Sequence, residues 1–234
     1  VNTSTENYAS WNWKAGGTAA SNTDGTITSS VSANTTAGFS IVSYTGNGTS
    51  GATVGHGLSS APEMLIVKNR TTTYDWAVYH KSVASDAETD ILFLNTNAAA
   101  WDDNGYWNDT APTNSVFTIG NYGRVNTSTS NYIAYCWHSV EGYSKFGKYT
   151  GNITSGSDGA FVYTGFKPAW IMVKSDSNSG QEWVIFDNKR DTFNQMDAWL
   201  YANSTSTEDN SDERDVDFLS NGFKFRNAGG PTTY

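Results

Sequence analysis

Tyr44-Thr45-Gly46-Asn47 returns as Tyr149-Thr150-Gly151-Asn152, and a train of landmarks returns with it. Pro62-Glu63-Met64-Leu65-Ile66-Val67-Lys68 is echoed by Pro168-Ala169-Trp170-Ile171-Met172-Val173-Lys174. Trp76-Ala77-Val78-Tyr79 is echoed by Trp183-Val184-Ile185-Phe186, and Phe117-Thr118-Ile119-Gly120-Asn121 by Phe223-Lys224-Phe225-Arg226-Asn227. The separations are 105, 106, 107 and 106 residues. A near-constant period with small loop insertions is the mark of a duplicated unit. The sequence therefore predicts two copies of one unit of about 105 residues.

A third echo concerns the ends. Val1-Asn2-Thr3-Ser4-Thr5 recurs as Val125-Asn126-Thr127-Ser128-Thr129, Asn7-Tyr8 matches Asn131-Tyr132, and Trp13 falls where Trp137 does. That passage closes the first full unit. The expected division is a closing strand of a preceding unit plus a polar linker over residues 1–37, a first full unit over 38–142, and a second over 143–234 that stops before its own closing strand. The expectation is a window from a longer polypeptide; a complete domain with a coincidental pentapeptide is the alternative. An unpaired buried edge is costly because each orphaned N–H and C=O loses its partner. The vacant slot is expected to be filled by further chain, by a neighbouring subunit, or by Tyr8 to Trp13 of another copy.

Within each unit the apolar runs are short and separated by turn residues. Gly38 to Tyr44, Met64 to Val67, Trp76 to Tyr79, Ile91 to Leu94, Val116 to Ile119 and Tyr132 to Trp137 read as strands of the first unit. Ala160 to Tyr163, Trp170 to Val173, Trp183 to Phe186, Ala198 to Tyr201, Val216 to Leu219 and Gly222 to Phe225 read as strands of the second. Met64-Leu65-Ile66-Val67, apolar at every position, predicts a strand buried on both faces. Tyr8 to Trp13 is a further strand pattern, Thr18 to Ala37 reads as a linker or surface arm carrying the small strand Thr26-Ile27-Thr28 with Val31 near it, and Gly46 to Gly57 as a hairpin-like excursion. A helical period is admissible only near Ala98 to Trp101. The fold class is all-β: tandem β-sandwich units, jelly-roll or concanavalin-like.

Composition agrees. Aromatic residues make up 14% of the 234 and charged residues only 16%, so the core is built from rings and the polarity from Ser, Thr, Asn and Gly. Such a mixture suits turns and exposed strand faces. The formal net charge of −9 leaves no basic stripe to displace counterions from phosphates. Nucleic acid is thereby disfavoured as a partner. No run approaches the 18 apolar residues of a membrane-spanning helix. The single cysteine, Cys136, lies in an apolar run and excludes an internal disulfide framework.

Catalytic motifs are thin. His56, His80 and His138 stand singly, without metal-ligand spacing. His80 falls where the second copy has Asp187, so shared chemistry would have to change its base. Two acidic passages, Trp101 to Asp109 and Glu208 to Asp217, offer the hard oxygen ligands that Ca²⁺ prefers, without the twelve-residue EF-hand pattern. No other cofactor is expected. The first passage carries a second signal: Trp101, Tyr106 and Trp107 stand among Asp103, Asn104 and Asp109. Rings stack on the apolar face of a sugar while amide and carboxylate groups take its hydroxyls, which makes these six the candidate glycan-binding residues. Trp76 and Trp183, recurring at strand positions, read as core anchors.

Longer stretches carry a family likeness. Trp11-Asn12-Trp13-Lys14-Ala15-Gly16-Gly17, Ser32 to Val42, Gly55-His56-Gly57-Leu58, Ile133-Ala134-Tyr135-Cys136-Trp137, Gly142 to Gly147 with Tyr149 to Asn152, Asp187-Asn188-Lys189-Arg190 and Phe218 to Phe223 together resemble a repeat of marine bacteriophage tail and fibre proteins. The resemblance covers nearly the whole chain. It implies concanavalin-like modules on an extracellular virion appendage, other virion proteins and further copies of the chain as partners, and adhesion to a host surface glycan. Trimerisation is the expectation for a fibre, although no residue fixes the number. The likeness brings no catalytic residues. A polysaccharide-degrading enzyme is the competing class, with Asp102, Asp103 or Asp109 facing Glu88 as its carboxylate pair; an assembly protein without ligand is the third.

Overall fold

The computed structural model describes residues 3–152, 158–211 and 214–226. Val1, Asn2, Asp212, Glu213, Asn227 and Tyr234, which entered the sequence reading, lie outside the described residues. The fold is nearly all β. In chain order the strands are β1 (Ala20–Asn22), β2 (Ser29–Asn34), β3 (Phe39–Thr45), β4 (Ala52–Gly55), β5 (Met64–Asn69), β6 (Ala77–His80), β7 (Asp90–Phe93), β8 (Trp101–Asp102), β9 (Val116–Ile119) and β10 (Asn131–Trp137). They continue as β11 (Phe161–Tyr163), β12 (Trp170–Val173), β13 (Val184–Asp187), β14 (Leu200–Tyr201), β15 (Val216–Leu219) and β16 (Gly222–Phe225). One short helix, α1 (Asn104–Trp107), stands between β8 and β9.

The first half is β-sandwich-like. An eight-stranded antiparallel sheet in the order β1-β2-β3-β10-β5-β6-β7-β8 faces a two-stranded sheet, β4-β9, and the core lies between them. Met64, Leu65, Ile66 and Val67 are all buried, as a run apolar on both faces requires. Alternation is clean on β10, where Tyr132, Ala134 and Cys136 point inward. Each large apolar side chain so buried, such as Leu65 or Ile66, contributes about 1.5–3 kcal/mol through removal from water. Tyr44 and Tyr132, opposite each other on β3 and β10, stack at 5.1 Å with rings 13° apart. The Tyr44 hydroxyl donates to the Val125 carbonyl at 2.8 Å, so its burial leaves no orphaned donor.

The second half holds two three-stranded sheets, β11-β16-β15 and β12-β13-β14, around a smaller core of Phe186, Trp199, Phe218 and Phe225. Two of its pairings have counterparts in the first half, offset by 106 to 108 residues. Leu65 opposite Tyr79 has its parallel in Ile171 opposite Phe186, and Val54 opposite Phe117 in Val162 opposite Phe223. The Asn95 side chain caps the Trp76 N–H at 2.8 Å, and Asn203 caps that of Trp183 at 2.9 Å. Trp183 is buried in the first half's core, whereas Trp76 is only partly buried against it. His80 and Asp187 do occupy matching positions, opposite Met64 and Trp170.

Four local expectations are corrected. Thr18 to Ala37 is no linker, because β1 and β2 extend the large sheet through full pairing of β2 with β3. The stretch reads as polar because Ile27 and Val31 are the large side chains it buries, while the buried Ser29 hydroxyl is satisfied by the Gly55 carbonyl at 2.9 Å. Tyr8 to Trp13 forms no strand. Gly46 to Gly57 is not a hairpin, since β4 pairs with the distant β9. The helix lies at Asn104–Trp107 rather than near Ala98 to Trp101, where β8 begins.

Candidate functional site

The six residues singled out in the sequence are split by α1. The Asp103 carboxylate accepts from the Gly105 N–H at 3.0 Å and caps the helix. The turn that follows drives Tyr106 and Trp107 inward, to 2% and 1% exposure. The Trp107 indole donates to the Asp90 carbonyl at 3.1 Å, and its ring meets Tyr79 edge-on at 6.0 Å. Tyr106 and Trp107 are thus core residues and cannot stack on a ligand, which corrects the sequence reading. The reason is local packing: the turn seats Trp107 against Tyr79 with its indole on the Asp90 carbonyl, and Tyr106 against Phe93, contacts that the polar flanks do not announce. Asn104 and Asp109 are exposed at the two ends of the turn, and Asp109 adopts a left-handed backbone with φ of 46°. Trp101 alone of the three rings stays at the surface, 40% exposed.

Trp101 has company that the sequence did not announce. Its ring meets the buried Phe93 edge-on at 5.1 Å, and Phe93 meets Tyr106 at 5.7 Å. Tyr106 in turn supports Tyr122, T-shaped at 5.1 Å. The Arg124 guanidinium lies 4.9 Å from the Phe93 ring centre and 5.9 Å from that of Tyr74. Tyr74, Trp101 and Tyr122 are all exposed and are linked through this one buried hub. Two glycines seat the outer rings: a Cβ on Gly105 would meet the Tyr122 ring at 2.5 Å, and one on Gly123 the Tyr74 ring at 2.7 Å.

Charge is fixed at the centre of the patch. Arg124 Nε and Nη2 both donate to Asp75 Oδ2, at 2.9 and 2.7 Å, and Asp75 Oδ1 accepts from Asn95 at 2.9 Å. Burial alone would raise the Asp75 pKa, but hydrogen bonds from Asn95 and Arg124 outweigh it and hold the carboxyl below its usual range. The guanidinium is likewise held charged: burial works against it, and the Asp75 hydrogen bond prevails. The result is three solvent-facing rings around fixed donors and acceptors. Rings and polar groups arranged in this way can pack against and hydrogen-bond a flat, hydroxyl-rich molecule. Tyr74, Asp75, Tyr122 and Arg124 escaped the sequence reading; the only signal was a ring beside a charge in Tyr74-Asp75 and Tyr122-Gly123-Arg124.

Other chemistry is engaged structurally. Asp187 accepts from the N–H groups of Lys189 and Arg190 at 2.9 and 3.1 Å and from Arg190 Nε at 2.8 Å. The Cys136 thiol is fully buried, and burial pushes its pKa up to about 12. Among the described residues no three His, Cys, Asp or Glu side chains converge as metal ligands, and no helix is long and apolar enough to cross a membrane.

Fold and patch together define an all-β, β-sandwich-like protein that presents aromatic rings from two loops and the short strand β8. The chain belongs to the family described as Domain of unknown function (DUF7483), which it matches over residues 1–233. No curated protein and no solved structure matches it.

Proposed function

We propose that this protein is a structural and adhesive component of an extracellular virion appendage, a phage tail, fibre or capsid decoration, and that it binds host surface glycans weakly and in many copies. The observation that carries the adhesive part is the exposed trio Tyr74, Trp101 and Tyr122 around the Phe93 and Arg124 centre. Sugar rings offer C–H faces to aromatic side chains, and Arg124, Asp75 and Asn95 supply polar groups alongside. A shallow surface of this kind gives low affinity per site, which repetition along an appendage multiplies. The virion setting rests on the likeness to phage tail and fibre repeats, and on the sandwich-like halves, whose matching registers favour two copies of one unit of about 105 residues. Association with other virion proteins and with further copies of the chain, a trimer in a fibre, follows from the same reading.

The competing enzyme reading is weakened by Asp103, which is occupied as a helix cap. Incubation with envelope polysaccharide separates the two. Retention of the polymer without new reducing ends supports adhesion, new reducing ends support hydrolysis, and a blank glycan array at high protein concentration removes the ligand altogether.

A further inference from the structure

At the centre of the ring patch is an ion pair whose atoms are already committed to one another. Arg124 spends Nε and Nη2 on a single oxygen of Asp75, at 2.9 and 2.7 Å, and the other Asp75 oxygen takes the Asn95 amide at 2.9 Å. Asn95 is fixed in turn, because its side-chain carbonyl accepts from the Trp76 N–H at 2.8 Å. The pair is not shut away. The Arg124 and Asp75 side chains are 33% and 29% exposed, so a molecule lying on Tyr74, Trp101 and Tyr122 has them within reach. What it meets there is a dipole without net charge.

The neighbouring charges do not restore a positive field. Lys68 is half-buried, donates its ammonium to the Tyr74 carbonyl and lies 5.7 Å from the centre of the Trp76 ring, and its charge is felt by Asp75. Asp103, the helix cap, acts on Tyr106 as Asp75 does: burial is the main reason that the Tyr106 pKa is raised, and the two carboxylates add to it against Arg124. Next to Asp103, β8 lays Asp102 opposite Asp90. Among the described residues none of Asp90, Asp102 and Asp103 is ion-paired. With Arg124 cancelled by Asp75, the surroundings of the rings are acidic, as is the whole chain at −9.

These charges sort ligands. A carboxylated, sulfated or phosphorylated sugar needs a free cation and would instead stand against Asp75 and Asp103, which repel it. A neutral hydroxyl finds both halves of what it needs. Asp75 Oδ1 accepts one bond, from Asn95, and has room for another, and the guanidinium has N–H groups beyond the two given to Asp75. We infer that Asp75 confines the patch to uncharged glycans, by pairing with the guanidinium that would otherwise hold an acidic sugar. The inference rests on the adhesive reading of the patch and gives that reading its ligand class, with Asp75 as the specificity-determining residue.

A glycan array in which each neutral glycan stands beside its carboxylated, sulfated or phosphorylated counterpart tests this, probed with the protein on multivalent particles. The wild type is expected to bind neutral members, to pass over their acidic counterparts, and to bind as well at high salt as at low salt, since there is no ion pair with the ligand to screen. Asp75→Asn keeps the shape of the side chain and frees Arg124; it is expected to bind the acidic members about threefold more strongly than the wild type does. Asp75→Asn combined with Arg124→Gln is expected to lose that gain. Acidic members bound by the wild type as well as neutral ones, or wild-type binding that falls with salt, overturn the inference and leave the adhesive reading standing. A folded Asp75→Asn protein without the gain overturns it too, and the wild-type comparisons decide the matter whether or not the variants fold. An array blank at every glycan overturns the adhesive reading, and this inference with it.

Discussion

The indole N–H of Trp183 donates to the main-chain carbonyl of Phe93 at 2.9 Å. A residue of the second half thus completes the first half's core, on the same residue whose ring carries the exposed patch. Phe93 is therefore a junction: its ring holds Trp101, Tyr106 and Arg124, and its carbonyl holds Trp183.

Truncating Trp183 should be felt beyond its own half. Trp183→Ala is expected to destabilise the protein by about 3–5 kcal/mol, as for other buried rings. Trp183→Phe keeps most of the volume, loses the hydrogen bond and should cost about 0.5–1.5 kcal/mol, since the Phe93 carbonyl keeps the Thr96 N–H at 3.4 Å. Denaturant unfolding followed by circular dichroism measures both, and equal losses for the two variants would contradict the assigned contact.

Trp101 and Trp107 should behave oppositely, although six residues apart. Trp107→Ala empties a buried site and is expected to cost about 3–5 kcal/mol. Trp101→Ala removes a ring that is 40% exposed and should cost about 1 kcal/mol or less. Thermal melts of the two variants decide it; a comparable drop in both would return Trp107 to the surface.

Acid should weaken the fold in two stages. His56 is buried, its Nδ1 accepting from the Leu58 N–H and its Nε2 facing the Thr113 carbonyl, each at 3.1 Å, so the neutral ring with the proton on Nε2 satisfies both contacts. Burial is the main reason that the pKa values of both His56 and His80 fall below 6.5. Below that value the unfolded chain binds more protons than the folded one, so stability drops as pH falls through it and is unaffected by these groups above it. A second loss follows below the ordinary carboxylate range: burial would raise Glu63, Asp75 and Asp187, but their hydrogen bonds prevail and depress all three. Asp90, raised chiefly by burial, works in the opposite direction. Urea midpoints measured from about pH 8 to 3 should be flat, then fall in two steps near the ordinary His and carboxylate values; a midpoint constant down to pH 5 would contradict the His56 assignment.

Cys136 should be chemically silent in the folded state. Its thiol is fully buried with a pKa of about 12, and the thiolate is the reactive form. A thiol-specific chromogenic reagent at neutral pH should report no reaction in buffer and one equivalent in denaturant. Prompt labelling of the native protein would show the β10 core to be open.

Much of the fold was legible because its strands are local apolar runs. Met64 to Val67 and Tyr132 to Trp137 declare themselves by continuity and by alternation, and Cys136 by its neighbours. β1 and β2 did not, because Ser, Asn and Ala dominate them and β2 buries only Ser29 and Val31 fully. The site was legible in one residue of three rings. Trp101 was found, but Tyr106 and Trp107 were turned inward by one helical turn that polar flanks concealed. Tyr74 and Tyr122 owe their place to the glycines beneath them, Gly123 and Gly105, which come from elsewhere in the chain and which no local pattern links to those rings.

Affinity electrophoresis through gels containing envelope polysaccharide tests the central claim most directly, with the protein displayed on multivalent particles so that weak sites add. Wild-type particles should be retarded as the polysaccharide content rises, and particles bearing Trp101→Ala with Tyr122→Ala should migrate as they do in plain gel. Equal retardation of both, in folded protein, would contradict the assignment of this patch as the adhesive face.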